Sequence, residues 1–233
     1  MRIAAVVPAF NESDSIKGVV EELIATGMKS GIHITPVVVN DCSTDNTAEI
    51  IDHLPCIALH LPINLGIGGA VQTGFRFAFE NDFDFACQVD GDGQHPSDQI
   101  PELVKAAQQN NWDVVIGSRF LRKEGFQSST IRRAGINHFS RLNKWLTGKK
   151  IFDTTSGFRL LGRKALAIVY ENYPDEYPEP ESLVLYSKKD LNVGEIPVQM
   201  RERQGGVSSI NSVRAVYYMW KVSLGCVFSS IRK

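Results

Sequence analysis

Apolar residues in the first 120 positions come in short continuous runs. Each run is followed by a polar cluster and then by apolar residues at helical spacing. Ile3–Val7 is the first run, and an unbroken run suits a strand buried on both faces of a parallel sheet. Asn11, Ser13 and Asp14 then offer helix N-caps, and Ile16, Val19, Val20, Leu23 and Ile24 recur at helical spacing. The pattern repeats with strands over Ile34–Val39, Ile57–Leu61, Phe85–Val89 and Val114–Gly117. Helices are predicted from Asp45 onward (Ile50, Ile51, Leu54), over Ala70–Phe79 and over Ser97–Gln109. Such alternation predicts an α/β fold, a mostly parallel central sheet with helices on both faces.

The later pattern is less regular. It predicts a helix over Ile131–Leu146, a strand over Phe158–Leu161, a helix over Arg163–Tyr170 and a loop over Tyr173–Pro180. A helix over Ser182–Lys189 and a strand over Val193–Met200 follow. No repeat, low-complexity run or linker interrupts the chain, so residues 1–211 read as one domain. In residues 212–233, Val213, Val216, Tyr217, Trp220, Leu224, Val227, Phe228 and Ile231 form one apolar stripe at helical spacing. Arg214, Lys221, Arg232 and Lys233 accompany it, with no acid in the segment. An amphipathic, aromatic, basic helix of this kind lies in a membrane interface, or packs on its own domain or on a dimer partner.

Composition narrows the class. Of 233 residues, 43% are hydrophobic and 22% charged, which excludes disorder, collagen and a simple coiled coil. A net charge of -1 speaks against a general nucleic-acid binder. The balance hides a split: residues 1–100 hold 4 Lys/Arg against 14 Asp/Glu, and residues 101–233 hold 21 against 12. An acidic part that holds a cation and a basic part that faces an anion would produce such a split. Cys42, Cys56, Cys87 and Cys226 form no C-x-x-C pair and read as reduced thiols. Met1-Arg2 leads straight into the first strand, and no run of 18 apolar residues occurs. The expectation is a cytoplasmic protein without a signal peptide or a membrane span.

Ligands of open α/β sheets bind beyond the carboxyl ends of the strands. The residues there are Pro8-Ala9-Phe10-Asn11-Glu12, Asn40-Asp41-Cys42-Ser43-Thr44-Asp45, Asn64-Leu65-Gly66-Ile67-Gly68-Gly69-Ala70, Asp90-Gly91-Asp92-Gly93-Gln94-His95 and Ser118-Arg119. Asp90 and Asp92, with glycine between them, can turn toward one point. Converging carboxylates repel unless a cation joins them, and Mg²⁺ or Mn²⁺ favours such oxygen ligands. Gln94 adds an oxygen ligand and His95 a nitrogen ligand to that candidate set, whereas a solvated Asp-Gly turn is the plain alternative. The glycine stretch is no dinucleotide fingerprint, because Val71 stands where the third glycine belongs, and no P-loop occurs. Asp41 is placed to accept hydrogen bonds from a nucleobase or to cap a helix. The Arg119 guanidinium is placed to grip a phosphate.

These stretches, in order, resemble the motifs of family 2 glycosyltransferases with the GT-A fold. Gly117-Ser118-Arg119-Phe120, Thr155-Ser156-Gly157-Phe158-Arg159 and Glu195-Ile196-Pro197-Val198 continue the resemblance over nearly the whole chain. The subgroup it resembles most is the dolichol- or polyprenol-phosphate sugar synthases. The resemblance implies a single GT-A domain over 1–211, with a nucleotide-sugar half over about 1–120 and an acceptor half over about 121–211. The amphipathic helix over 212–233 follows.

It also implies roles. Pro8, Phe10, Glu12 and Asp41 would hold the base and ribose, and Gly69 would line the nucleotide pocket. Asp90, Asp92 and Gln94 would bind Mg²⁺ or Mn²⁺ and, through it, the donor diphosphate. Arg119, Arg132 and Arg159 would meet the acceptor phosphate or the diphosphate, with Ser156 beside them. Arg201 and Arg203 would belong to a loop that closes over the donor. The chain departs from the family at Asn40, where Asp is common, and at Ser209, where the synthases often carry Lys.

The expected reaction is an inverting, metal-dependent transfer from a UDP- or GDP-sugar to a polyprenyl phosphate, as in cell-wall polysaccharide assembly. The expected place is the inner face of the cytoplasmic membrane, with peripheral contact through 212–233. Asp92, Arg119, Arg159 and Glu181 are the expected catalytic residues. If the acceptor is instead a hydroxyl of a lipid-linked or cell-surface glycan, a carboxylate base is needed, and Asp153, Glu179 and Glu181 are the candidates. A non-catalytic nucleotide-sugar-binding module is the remaining alternative. No nucleic-acid partner is expected, and a homodimer is left open.

Overall fold

A computed structural model describes residues 1–121, 130–174, 178–201 and 212–231. Seven strands form one sheet: β1 (Arg2–Ala9), β2 (His33–Asn40), β3 (Ile57–His60), β4 (Phe85–Gln88), β5 (Val114–Ser118), β6 (Arg159–Gly162) and β7 (Val193–Pro197). Their order across the sheet is β3-β2-β1-β4-β6-β5-β7. All neighbouring pairs are parallel except those made by β6, which runs antiparallel to both β4 and β5.

Side chains of β1 alternate between two cores, as the period-two geometry of a strand requires. Ile3, Ala5 and Val7 enter a core completed by α1 (Ile16–Ser30) and α4 (Ile100–Asn110). Ala4 and Val6 enter a second core, completed by α3 (Gly66–Glu80), α6 (Arg163–Glu171) and α7 (Pro178–Lys188). A strand fed to two cores must be apolar throughout, which is why Ile3–Val7 shows no polar alternation. α3 sits so close to β1 that a Cβ on Gly74 would lie 2.2 Å from a Val6 methyl. A short α2 (Thr47–Asp52) covers the β2–β3 edge.

α5 (Thr130–Thr147), α7 and α8 (Ser212–Ile231) make a smaller third core from Phe139, Val184, Val222 and Cys226. The other face of α8 exposes Trp220, Leu224, Phe228 and Ile231. Of the predicted stripe, Trp220, Leu224, Phe228 and Ile231 thus face solvent, whereas the inner face on the domain is made by Val222 and Cys226, which the stripe did not include. The side chains of Val213, Arg214, Val216 and Tyr217, and residues Arg232 and Lys233, lie outside the described residues. Among the described residues, no helix is long and apolar enough to cross a membrane.

Several boundaries differ from the sequence pattern; among them, α4 begins at Ile100, after a single 3-10 turn over Ser97–Gln99, rather than at Ser97. α3 begins at Gly66 rather than Ala70, because a carboxylate from β2's end satisfies the amides of its first turn. α7 begins at Pro178 rather than Ser182. Pro178 and Pro180 fall in its first turn, where the N–H groups have no helical partner to lose. β7 ends at Pro197, three residues before the predicted Met200.

Candidate active site

The carboxyl ends of β1, β2, β4 and β5 open onto one cavity of about 720 Å³. Because β6 is antiparallel, the residues that precede it, Thr155, Ser156 and Gly157, reach the same edge of the sheet. All the quoted motifs except Glu195-Ile196-Pro197-Val198 thus meet in one place.

One wall consists of Pro8, Phe10, Glu12, Asp41 and the start of α3. Phe10 is 48% exposed, a flat apolar surface at the cavity rim. Asp41 is buried, and its two oxygens accept the N–H groups of Leu65 at 2.7 Å and Gly66 at 2.9 Å. Asp41 therefore does what the plainer reading assigned, holding the α3 terminus, while each oxygen keeps a second lone pair for a ligand. Asp45 accepts from the Ser13 and Thr47 N–H groups, so it ties β1's loop to α2. Gly69 is displaced from its expected role. A Cβ there would lie 2.5 Å from the Leu65 side chain, so its small size serves packing within the helix start. Gly66, Ile67 and Ala70 line the cavity in its place. At the missing family aspartate, Asn40 donates to His60 Nδ1 at 3.1 Å and accepts the Ser43 N–H at 3.0 Å.

Asp90, Asp92 and Gln94 line the floor after β4. Asp92 is buried and accepts the Gln94 N–H at 3.0 Å. His95 is taken up by Asp90: its Nδ1 accepts the Asp90 N–H at 2.9 Å, and its Nε2 lies 3.4 Å from Asp90 Oδ2. Burial pushes the imidazole down to about 4, against the charge of Asp92 and with that of Arg119. The ring is neutral at pH 7, with its proton on Nε2, and it orients Asp90 rather than offering a nitrogen to a cation. Two carboxylates and an amide on one tight loop form an oxygen donor set of the kind Mg²⁺ or Mn²⁺ takes together with substrate phosphates.

The other wall carries Arg119. Its N–H, Nε and Nη2 donate to Asp153 at 3.0, 2.8 and 2.8 Å, and Nη2 also reaches Thr155 Oγ1 at 3.1 Å. Burial works against this charge, but the bonds and charge of Asp153 outweigh it and raise the Arg119 pKa. Asp153 is thereby spent on Arg119 and is not placed as a base. Ser156 lines the cavity while its hydroxyl donates to the Gly117 carbonyl at 2.7 Å.

Several predicted residues are not brought to the cavity. Arg159 is fully buried behind it, donating to the Ser156 and Thr154 carbonyls and to Ser182 Oγ. It braces the loop that carries Ser156 and is not placed to meet a ligand. Glu181 faces α8 and accepts from Ser229 Oγ at 2.6 Å. Arg201 pairs with Glu22 at 2.7 Å, and its N–H donates to the Gln94 carbonyl, so it anchors the chain beside the Asp90–Gln94 loop. The Arg132 side chain and Arg203 lie outside the described residues. Glu179 replaces Glu181 as the carboxylate lining the cavity. Burial raises its pKa, the charge of Asp90 adds to that, and Arg159 and Arg119 oppose it. Thr155, Gly157 and Met200 also line the cavity. The reach of Met200 follows from the course of the chain beyond β7, which hydrophobic periodicity does not encode.

A family model described as "Glycosyl transferase family 2" matches residues 4–168. The UDP-N-acetylglucosamine–dolichyl-phosphate N-acetylglucosaminyltransferase of Methanococcus voltae is 29% identical over 217 residues, covering 84% of this chain and 84% of that protein. The undecaprenyl-phosphate mannosyltransferase of Micrococcus luteus is 27% identical, covering 91% of this chain and 88% of that protein. Among solved structures, glucosyl-3-phosphoglycerate synthase of Mycobacterium tuberculosis with Mn²⁺, UDP and glucosyl-3-phosphoglycerate superposes with a TM-score of 0.72. It is 16% identical and covers 98% of this chain and 79% of that one. The same synthase with Mg²⁺ and UDP gives a TM-score of 0.73.

Proposed function

The chain belongs to glycosyl transferase family 2, and from that premise we propose that it moves a sugar from a nucleotide-diphosphate sugar to a polyprenyl phosphate. It is a glycosyltransferase with the GT-A fold, and relatives are named for transfer to dolichyl or undecaprenyl phosphate. The observation that carries the acceptor reading is Arg119, a guanidinium locked by Asp153 and turned to a cavity it shares with Asp90 and Asp92.

In this reading Phe10 and Pro8 flank the base of a UDP- or GDP-sugar, Asp41 and Glu12 take its polar edge, and Asp90, Asp92 and Gln94 hold Mg²⁺ or Mn²⁺. The cation, when bound, acts as a Lewis acid toward the leaving diphosphate. Arg119 supplies preorganised positive charge where the two phosphates approach each other. A lipid phosphate is already largely ionised at neutral pH, with a second pKa of about 6, so it attacks the anomeric carbon without a base. Direct displacement inverts that centre. The outer face of α8, with Trp220, Leu224, Phe228 and Ile231, lies on the cytoplasmic membrane surface and brings the cavity to the lipid. Residues 1–211 act as the catalytic domain and 212–233 as the contact helix.

Glu179 favours a second reading. A half-buried carboxyl with a raised pKa in the cavity suits proton abstraction from a sugar hydroxyl of a lipid-linked or cell-surface glycan. One assay separates the two. Purified protein is given UDP- and GDP-sugars, Mn²⁺ and a polyprenyl phosphate, with EDTA as control, and products are read by mass spectrometry. A lipid-phosphate sugar that disappears with EDTA is the expected product. Metal-dependent donor hydrolysis without that lipid overturns the first reading and supports a hydroxyl acceptor. No turnover of any donor leaves a binding module.

A further inference from the structure

The Glu195-Ile196-Pro197-Val198 stretch has no part in the chemistry above. Glu195 lies on β7 beside Ile116 of β5, three positions before Arg119. Its Oε2 accepts the N–H of Phe152 and its Oε1 the N–H of Asp153, both at 2.8 Å. Asp153 in turn is fully buried, and its carboxylate takes three hydrogen bonds from Arg119. Two short steps therefore run from Glu195 through the Asp153 backbone to the guanidinium that lines the cavity.

A carboxylate is a costly choice at this position. Burial raises the Glu195 pKa and the charge of Asp153 adds to that, while the two amides oppose it. A glutamine would avoid the charge, but it has a single acceptor oxygen, and its NH2 would face an amide donor. With one oxygen on each N–H, the carboxylate satisfies two successive residues in this geometry. Fixing both amides fixes the direction in which the Asp153 side chain leaves the backbone, and with it the plane of the Arg119 fork.

We propose that Glu195 is a positioning residue that clamps the Phe152–Asp153 backbone so that Asp153 presents Arg119 to the phosphate. The proposal rests on the reading that Arg119 meets a phosphate of donor or acceptor. The test is a double-mutant cycle on the full chain with Glu195→Gln, Arg119→Ala and the pair, each assayed for kcat and KM in lipid-phosphate transfer. Glu195→Gln is expected to lower kcat/KM by up to about a hundredfold, the scale of a misplaced catalytic group. In the Arg119→Ala background the same change is expected to cost little more. Losses that multiply, or full activity in Glu195→Gln, overturn the proposal. Glu195→Asp, which keeps two acceptor oxygens, is expected to retain more activity than Glu195→Gln, and the reverse order overturns the proposal. Amide hydrogen exchange at Phe152 and Asp153 reads the clamp without turnover. Faster exchange in Glu195→Gln supports it and unchanged exchange overturns it, even if the wild-type protein makes no lipid product and the acceptor reading fails.

Discussion

The two walls of the cavity are built differently. On the side proposed for the nucleotide, the carboxylates mostly bind backbone amides of their own or a facing loop: Asp41 holds Leu65 and Gly66, Asp45 holds Ser13 and Thr47, and Asp92 holds Gln94. These bonds shape loops at strand ends, and each Asp41 oxygen keeps a second lone pair toward the cavity. On the side proposed for the acceptor, charged groups bind one another or brace a loop from behind. Arg119 is locked to Asp153, Asp153 is anchored by Glu195, and Arg159 is buried under the Thr154–Ser156 turn. The Asp41–Asp92 side is thus organised by loop geometry, and the Arg119 side by a charge network rooted in the buried Asp153 and Arg159. A change in the first is expected to alter binding and chemistry, and a change in the second to alter stability as well.

The sharpest way to break this contrast is Asp92→Asn. Removing one carboxylate of the candidate cation pair is expected to lower kcat at least about a hundredfold, the scale of losing one preorganised electrostatic contact. Thermal unfolding is expected to change little, and scanning calorimetry beside the transfer assay checks both. Arg159→Met should do the reverse in kind. It leaves the Ser156 and Thr154 carbonyls without their buried donor, at a cost on the order of 3 kcal/mol in unfolding free energy, measured by urea titration. An Arg159→Met protein as stable as wild type would erase the difference between the two walls.

The smallest expected effect is a pH slope. Burial raises the Glu179 pKa above its ordinary value of 4.5. A carboxyl raised in the folded state binds its proton more tightly there than in the unfolded chain. Its contribution to stability is therefore complete below about pH 4.5 and is lost as pH rises through the folded pKa. Glu179→Gln removes that loss, so its melting temperature relative to wild type is expected to rise as pH rises above about 4.5. A difference that stays constant with pH would show that Glu179 is not desolvated.

The βα alternation, the two-sided sheet and the strand ends where Asp41, Asp90, Asp92 and Arg119 gather were legible in the chain. Those features follow from local periodicity and from a rule about where open sheets bind. The sequence did not separate Glu179 from Glu181. Read in a loop the two look alike, but in the first turn of α7 they lie about 200° apart around the axis. One enters the cavity and the other meets α8. Nor did it place Arg159. β6 inserts antiparallel between β4 and β5, so Arg159 pairs with Gln88 and Ile116 inside the sheet. Such roles come from the packed fold, because which way a side chain turns depends on pairings between segments distant in the chain, and spacing along the sequence carries no record of them.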